Sequence, residues 1–209
     1  MTLIHELFPK KNPIPVVVLD DAADAVPLAR ALYAGGITSI EITLRTEAGL
    51  YAIERVARDV PNIIVGAGTI TTPQQMDAAR NAGAQFQVSP GFTARLADHA
   101  HRTDVTWLAG VTNASQIMHA IEYGATHLKF FPASLSGGVP MLKQFHSVFP
   151  HIRFCPTGGI DLSNLKEYAE LLNVFAIGGS WLTPKDAMQS QDWGRIEALA
   201  RQSVACLES

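Results

Sequence analysis

The feature that most constrains this chain is an alternation. A short apolar run with the character of a buried strand is followed by a stretch of helical pattern, and the pair recurs about eight times in 209 residues. The strand-like runs are Ile14–Leu19, Thr38–Thr43, Ile63–Val65 leading into Gly66-Ala-Gly-Thr69, Ala84–Val88, Val105–Ala109, the run through Lys129 to Pro132, His151–Cys155 and Asn173–Ile177. Helical stretches are expected over Asp24–Ala34, Glu47–Asp59, Thr72 to Gly83, Thr93–Arg102, Asn113 to Gly124, from Gly137-Gly138 to about Val148, over Asp161–Leu172, and between Pro184 and Glu208. Thr72-Pro73 has the form of an N-cap with proline at the first helical position, and Gly35-Gly36 that of a helix stop.

Ile14-Pro-Val-Val-Val-Leu19 is nearly all apolar, which suits a strand covered on both faces. Strands alternating with helices imply parallel pairing and right-handed crossovers. Eight such units predict an α/β chain closed into a (β/α)8 TIM barrel, a single domain over residues 1–209 with no composition break. The alternative is a doubly wound open sheet. That fold would carry a glycine-rich dinucleotide turn after its first strand, where this chain has Leu19-Asp20-Asp21.

Composition narrows the partners. The chain is 47% hydrophobic and 17% charged with a net charge of -3, which suits a packed core and argues against a nucleic-acid or anionic-membrane binder. Met1 to Lys11 has no long apolar run, so no signal peptide is expected, and no stretch is long and apolar enough for a membrane span. Cys155 and Cys206, neither in a CxxC pair, read as buried thiols. The expected setting is the cytoplasm.

In a barrel the residues at the C-terminal ends of the strands belong to one site. Here they are Glu41 and Arg45; Gly66 to Thr69; Ser89-Pro90; Gly110 to Thr112; Lys129 and Phe131; Thr157-Gly158-Gly159; and Gly178-Gly179-Ser180. Lys129 stands in an otherwise apolar run. It is either a surface lysine at a strand end or an amine taken out of water to act as a nucleophile. Glu41, between Ile40 and Ile42, is either a solvent-facing or structurally paired carboxylate or a general acid and base inside the barrel. Arg45 fits a surface ion pair or a bidentate clamp on a substrate carboxylate. The two glycine pairs fit helix-entry turns or a backbone cradle for phosphate, which barrels often hold after strands seven and eight.

Metal is not expected. His5, His99, His101, His119, His127, His146 and His151 form no HExxH pattern, and His99 and His101 share no helix face. Trp107, Trp181 and Trp193 are scattered and read as packing residues. His127, two residues before Lys129, shares its strand face, and packing is again the preferred account.

Six motifs, in order, carry a family resemblance: Glu41-Ile-Thr-Leu-Arg45-Thr46, Val65-Gly-Ala-Gly-Thr69, Ser89-Pro-Gly91, Lys129-Phe-Phe-Pro132, Pro156-Thr-Gly-Gly159 and Ile177-Gly-Gly-Ser-Trp181. Together they resemble the bacterial 2-keto-3-deoxy-6-phosphogluconate aldolases, a family that also acts on 4-hydroxy-2-oxoglutarate. The resemblance implies a (β/α)8 barrel, a homotrimer, no metal or cofactor, and a keto-acid or sugar-phosphate substrate handled through a Schiff base. It assigns Lys129 as the imine-forming residue and Glu41 as the proton shuttle. Arg45, Thr69 and Pro90 would surround the pyruvate end, and Phe131 would pack beside the lysine. Thr157, Gly158, Gly159 and Ser180, with Gly178 and Gly179, would hold the distal hydroxyls and phosphate. Two departures, Ala109-Gly-Val-Thr112 where Pro-Gly is common and Ser134 where many members carry Glu, bear on fine substrate preference. Two rival readings are a phosphosugar isomerase or epimerase barrel, in which Lys129 only binds, and a noncatalytic sugar-phosphate sensor.

Overall fold

The computed structural model describes residues 4–8 and 11–208, so the expectation drawn over Met1 to Lys11 falls partly outside the described residues. A short helix α1 (Ile4–Leu7) precedes eight strands with helices between them. In order these are β1 (Pro13–Val17), α2 (Ala25–Ala34), β2 (Ser39–Thr43), α3 (Ala48–Asp59), β3 (Ile64–Gly68), α4 (Pro73–Asn81), β4 (Phe86–Val88), α5 (Ala94–Thr103), β5 (Trp107–Val111) and α6 (Ala114–Glu122). They continue with β6 (His127–Phe130), α7 (Gly138–Val148), β7 (Arg153–Pro156), α8 (Leu165–Ala169), β8 (Ile177–Gly179), α9 (Lys185–Gln189) and α10 (Trp193–Glu208).

Every strand pair is parallel, in the order β7-β6-β5-β4-β3-β2-β1-β8. Parallel bridges from Phe154 to Val174 and from Thr157 to Gly178 close the ring between β7 and β8. The (β/α)8 barrel expected from the alternation is therefore what the chain forms, and the open sheet is not.

Local chemistry explains the helix ends. Thr72 accepts the Gln75 N–H at 3.2 Å, and the Gln75 side chain accepts the Thr72 N–H in return, a reciprocal capping box with Pro73 at the first helical position. Thr93 and Asn113 cap α5 and α6 one way only, their side-chain oxygens accepting the Leu96 and Gln116 N–H groups. Three expectations are corrected. The helix expected over Asp161–Leu172 is helical only at Leu165–Ala169, because the Asp161 carboxylate takes up the Ser163 N–H at 2.8 Å and the Ser163 hydroxyl at 2.5 Å in a competing turn. The last regular strand begins at Ile177 rather than Asn173, because Asn173 to Phe175 pair with β7 only at Phe154, whose N–H donates to the Asn173 carbonyl at 2.7 Å and whose carbonyl accepts the Phe175 N–H at 3.1 Å, an isolated bridge. The final helical stretch is two helices, parted where Gln191 adopts φ 52 and donates to Asp24 at 2.7 Å.

Strand alternation sorts the core. Ile40, Ile42, Val65 and Ala67 face the helices around β2 and β3, while Leu128, Phe130 and Phe154 do so around β6 and β7. Ile14, Phe86, Val88, Leu108 and Cys155 point into the barrel, where Ile4 and Phe8 plug its lower end, Phe8 meeting Phe86 edge-on at 5.2 Å. The upper end is lined instead by polar residues and glycines.

Candidate active site

Glu41 and Lys129 sit on β2 and β6, four strands apart in an eight-stranded ring, so their side chains reach toward one another across the barrel axis. Lys129 Nζ donates to Glu41 Oε1 at 3.3 Å, and the two side chains are only 7% and 5% exposed. The reach is made possible by what lies between. A Cβ at Gly68 would overlap the Glu41 carboxylate, one at Gly66 would enter the Phe86 ring, and one at Gly110 would strike the Pro90 carbonyl. Gly68 is thus a steric permission for the Glu41 carboxylate inside the barrel, while Gly66 and Gly110 make room for Phe86 and the Pro90 turn beside it. The surface-lysine and edge-carboxylate readings do not describe these positions.

Around the pair, the Phe131 ring centroid lies 5.2 Å from Lys129 Nζ, a cation–π distance. Phe131 precedes Pro132 across a cis peptide bond. Cys155 is the register partner of Lys129 on β7 and is buried. Burial pushes its thiol up to about 12, with the Lys129 charge pulling the other way and Glu41 adding to the rise. The thiol is therefore a neutral wall beside the amine. Its proximity was readable in principle: Cys155 lies two residues before Thr157 and shares its strand face.

Arg45 Nε donates to Thr69 Oγ1 at 3.2 Å at the exposed mouth. Thr69 holds φ 62, a left-handed conformation that a β-branched residue adopts only under strain. Ser89 is fully buried, accepting the Trp107 indole N–H at 3.0 Å and donating to the Gly91 carbonyl at 2.7 Å, which seats Pro90 over Gly110. Trp107 thus serves the site from the outer face of β5.

The distal candidates form a second group. Gly158 and Gly159 have φ 101 and 72, a turn only glycine adopts freely, and a Cβ at Gly159 would overlap the Ser134 hydroxyl. Gly178 and Gly179 lie within β8, where a Cβ would overlap Thr157 and the Trp181 ring respectively. Thr157 is buried against Gly178, whereas Ser180 is exposed. Ser180 lines a cleft of about 530 Å³ with Val16, Asp20, Thr183, Lys185 and Gln191; neither Lys129 nor Glu41 lines it, though Val16 is the register partner of Glu41. His127 is at the lower end of β6, its ring 4.9 Å from that of Phe175 and its Nδ1 3.0 Å from Thr126 Oγ1, away from the upper rim. Among the described residues no group of three or more His, Cys, Asp or Glu is placed to hold a metal ion.

Such an arrangement is chemically specific. An amine inside a barrel can add to a carbonyl once it gives up its proton, and a carboxylate within hydrogen-bonding reach can move the protons that addition and dehydration require. The fold is a (β/α)8 barrel with a buried amine–carboxylate pair inside it, an arrangement that suits the aldehyde lyases. Among these, the chain belongs to the aldolase family described as KDPG and KHG aldolase, whose model matches residues 4–199.

Named relatives agree. The 2-dehydro-3-deoxy-phosphogluconate aldolase of Pseudoalteromonas atlantica is 48% identical, over 96% of this chain and 94% of its own. The KDPG aldolase of Legionella pneumophila, solved with pyruvate captured as a covalent carbinolamine intermediate, is 42% identical with a TM-score of 0.91, covering 94% of this chain and 95% of its own. The 2-keto-3-deoxy-6-phosphogluconate aldolase of Zymomonas mobilis, solved with 3-phosphoglycerate, is 42% identical with a TM-score of 0.92, covering 97% and 95%.

Proposed function

We propose that this protein reversibly cleaves 2-keto-3-deoxy-6-phosphogluconate to pyruvate and D-glyceraldehyde 3-phosphate, and 4-hydroxy-2-oxoglutarate to pyruvate and glyoxylate, through a Schiff base on Lys129. The observation that carries the reading is the buried Lys129–Glu41 pair at 3.3 Å. The covalent pyruvate adduct of the Legionella relative supports the same chemistry, and the phosphorylated three-carbon acid bound by the Zymomonas relative supports a phosphate-bearing substrate.

The steps follow from the residue types. With its proton passed to Glu41, Lys129 Nζ adds to the C2 carbonyl to give a carbinolamine. Glu41 returns a proton to the departing hydroxyl, water leaves, and a protonated imine forms. Glu41 then takes the C4 hydroxyl proton. The C3–C4 bond breaks with its electrons moving into the imine, so the aldehyde leaves and an enamine remains. Glu41 protonates C3, and water hydrolyses the imine to free pyruvate and the amine. The covalent path replaces one hard carbanion-forming step with several easier ones.

Arg45, hydrogen-bonded to Thr69, is proposed to clamp the substrate carboxylate, with Pro90 and Phe131 walling the pyruvate end. Thr157, Gly158, Gly159, Gly178, Gly179 and Ser180 are proposed to take the distal hydroxyls and phosphate, the Gly158-Gly159 turn being supported by its left-handed backbone. A cytoplasmic setting is proposed, supported by the free thiols of Cys155 and Cys206; no helix among the described residues is long and apolar enough to cross a membrane. A homotrimer is proposed on the family resemblance, supported by exposed apolar side chains such as Met118, Leu135 and Val148. Light scattering in solution reads it.

Borohydride reduction in the presence of pyruvate tests the chemistry. The expected result is irreversible inactivation with the added mass on the peptide containing Lys129. An unmodified Lys129 in inactivated enzyme, or turnover that borohydride and pyruvate leave untouched, would refute the reading.

A further inference from the structure

Backbone pairing between β5 and β6 runs through Val111 and Phe130, and the Phe131 N–H adds one more bond to the Val111 carbonyl at 3.1 Å. Beyond that point the chain turns into the cis Phe131–Pro132 bond, and its next backbone ties are a local one, from the Ser136 N–H to the Pro132 carbonyl at 3.0 Å, and one to another strand's end, from the Ala133 N–H to the Thr157 carbonyl at 2.8 Å. The Phe131 carbonyl lies between these anchors. It is held by a side chain: the Thr112 hydroxyl donates to it at 2.9 Å. Thr112 is itself fixed, because its N–H donates to Gln116 Oε1 at 2.6 Å in the first turn of α6, whose cap is the neighbouring Asn113. One hydroxyl therefore ties the start of a rigid helix to the residue whose ring faces Lys129 Nζ at 5.2 Å.

We propose that Thr112 is a positioning residue for the nucleophile, holding the Phe131 backbone so that the aromatic ring stays over Lys129 Nζ. The inference rests on the reading of Lys129 as the imine-forming residue and adds a member to its machinery. Phe131 shields one side of the amine from water and offers the negative face of its ring to the charged forms that appear along the path. A ring attached to a loose carbonyl samples other positions, and a misplacement of about 1 Å is enough to cost a large rate factor. The Thr112 hydroxyl is committed to the Phe131 carbonyl rather than to the Lys129 amine, so its effect is expected on the rate of covalent chemistry rather than on binding.

The test is single-turnover imine formation with pyruvate, trapped by borohydride and followed as mass gained at Lys129. It is run on Thr112→Val, which keeps shape and loses the donor, and on Thr112→Ser, which keeps the donor. Both are made in the wild-type and Phe131→Ala backgrounds. Thr112→Val is expected to slow imine formation about tenfold while leaving its half-saturating pyruvate concentration within about twofold. Thr112→Ser should stay close to wild type, and Thr112→Val should cost nothing further once the ring is gone. A full rate in Thr112→Val, an equal loss in Thr112→Ser, or the same loss in the Phe131→Ala background overturns the proposal. A wild-type enzyme that forms no adduct at all removes the Schiff-base reading and this inference with it. A normal wild-type adduct with an unaffected Thr112→Val removes this inference alone.

Discussion

Lys129 Nζ and Glu41 Oε1 lie 3.3 Å apart although their strands stand on opposite sides of the barrel. Two long side chains meet over a floor of glycines, and each stands with almost no exposure to water. Burying two charges costs several kcal/mol that their attraction repays only in good geometry, so the pair is a poor device for stability alone. Its placement fits the proton donor and acceptor proposed above.

Glu41→Gln separates the proton-shuttle role from packing, since the amide has the same shape and still accepts from Lys129. Turnover in a coupled pyruvate assay should fall about 100-fold or more, with KM within a few-fold. Equal losses in both would remove the acid–base role.

Lys129→Met should abolish activity and also destabilise, because Glu41 is left buried and unpaired. Removing one partner of such a pair costs about 3–5 kcal/mol. Adding Glu41→Gln to Lys129→Met should recover most of that loss without restoring turnover, as read by denaturant midpoints. A double variant no more stable than Lys129→Met would show that the pair is not electrostatically coupled.

Gly68→Ala places a methyl group where the Glu41 carboxylate now sits. Overpacking of this kind costs about 1–3 kcal/mol, and the carboxylate must leave its position opposite Lys129. Thermal stability should drop and turnover should fall more than substrate affinity does. An unchanged turnover would show that Glu41 has room to spare.

The alternation of apolar and helical stretches was enough to foresee the barrel, because parallel strands covered by helices leave few other closures for eight units. Glu41 and Lys129 were legible as charges inside strand patterns, and the rim residues as strand ends. Other features were hidden for physical reasons. That Gly66 and Gly68 are clearance for side chains on neighbouring strands, and Gly110 for the Pro90 backbone, depends on register, which period alone does not give. The break of the Asp161–Leu172 stretch depends on one carboxylate preferring a serine to the helix. The supports from Trp107 to Ser89 and from Thr112 to Phe131 join residues that only folding brings together.

Arg45→Lys keeps the charge and loses the planar fork. If Arg45 holds the substrate carboxylate, KM for either keto acid should rise about tenfold while kcat changes less. The Arg45–Thr69 hydrogen bond is at the exposed mouth, so the melting temperature should hardly move. A KM within error of wild type would place the carboxylate elsewhere.

Cys155 gives the pH dependence a definite sign. Its native thiol is pushed up to about 12 by burial, whereas an unfolded chain ionises it near its ordinary value of about 8.5. Above that ordinary value the unfolded state loses the proton and the native state keeps it, so stability falls as pH rises toward about 12 and is unaffected by this group at neutral pH. At pH 10 the loss from this residue alone should be about 1–2 kcal/mol, the integral of that difference. Cys155→Val, close in volume and unable to ionise, should flatten the alkaline limb of a denaturation midpoint against pH curve by that amount. In the native protein at pH 8 the same thiol should resist alkylation until denaturant is added, because the thiolate is the reactive form and is nearly absent. Alkylation of Cys155 in the folded enzyme, or parallel alkaline limbs for wild type and Cys155→Val, would mean that the wall beside Lys129 is wet, and the case for a dry imine site would weaken with it.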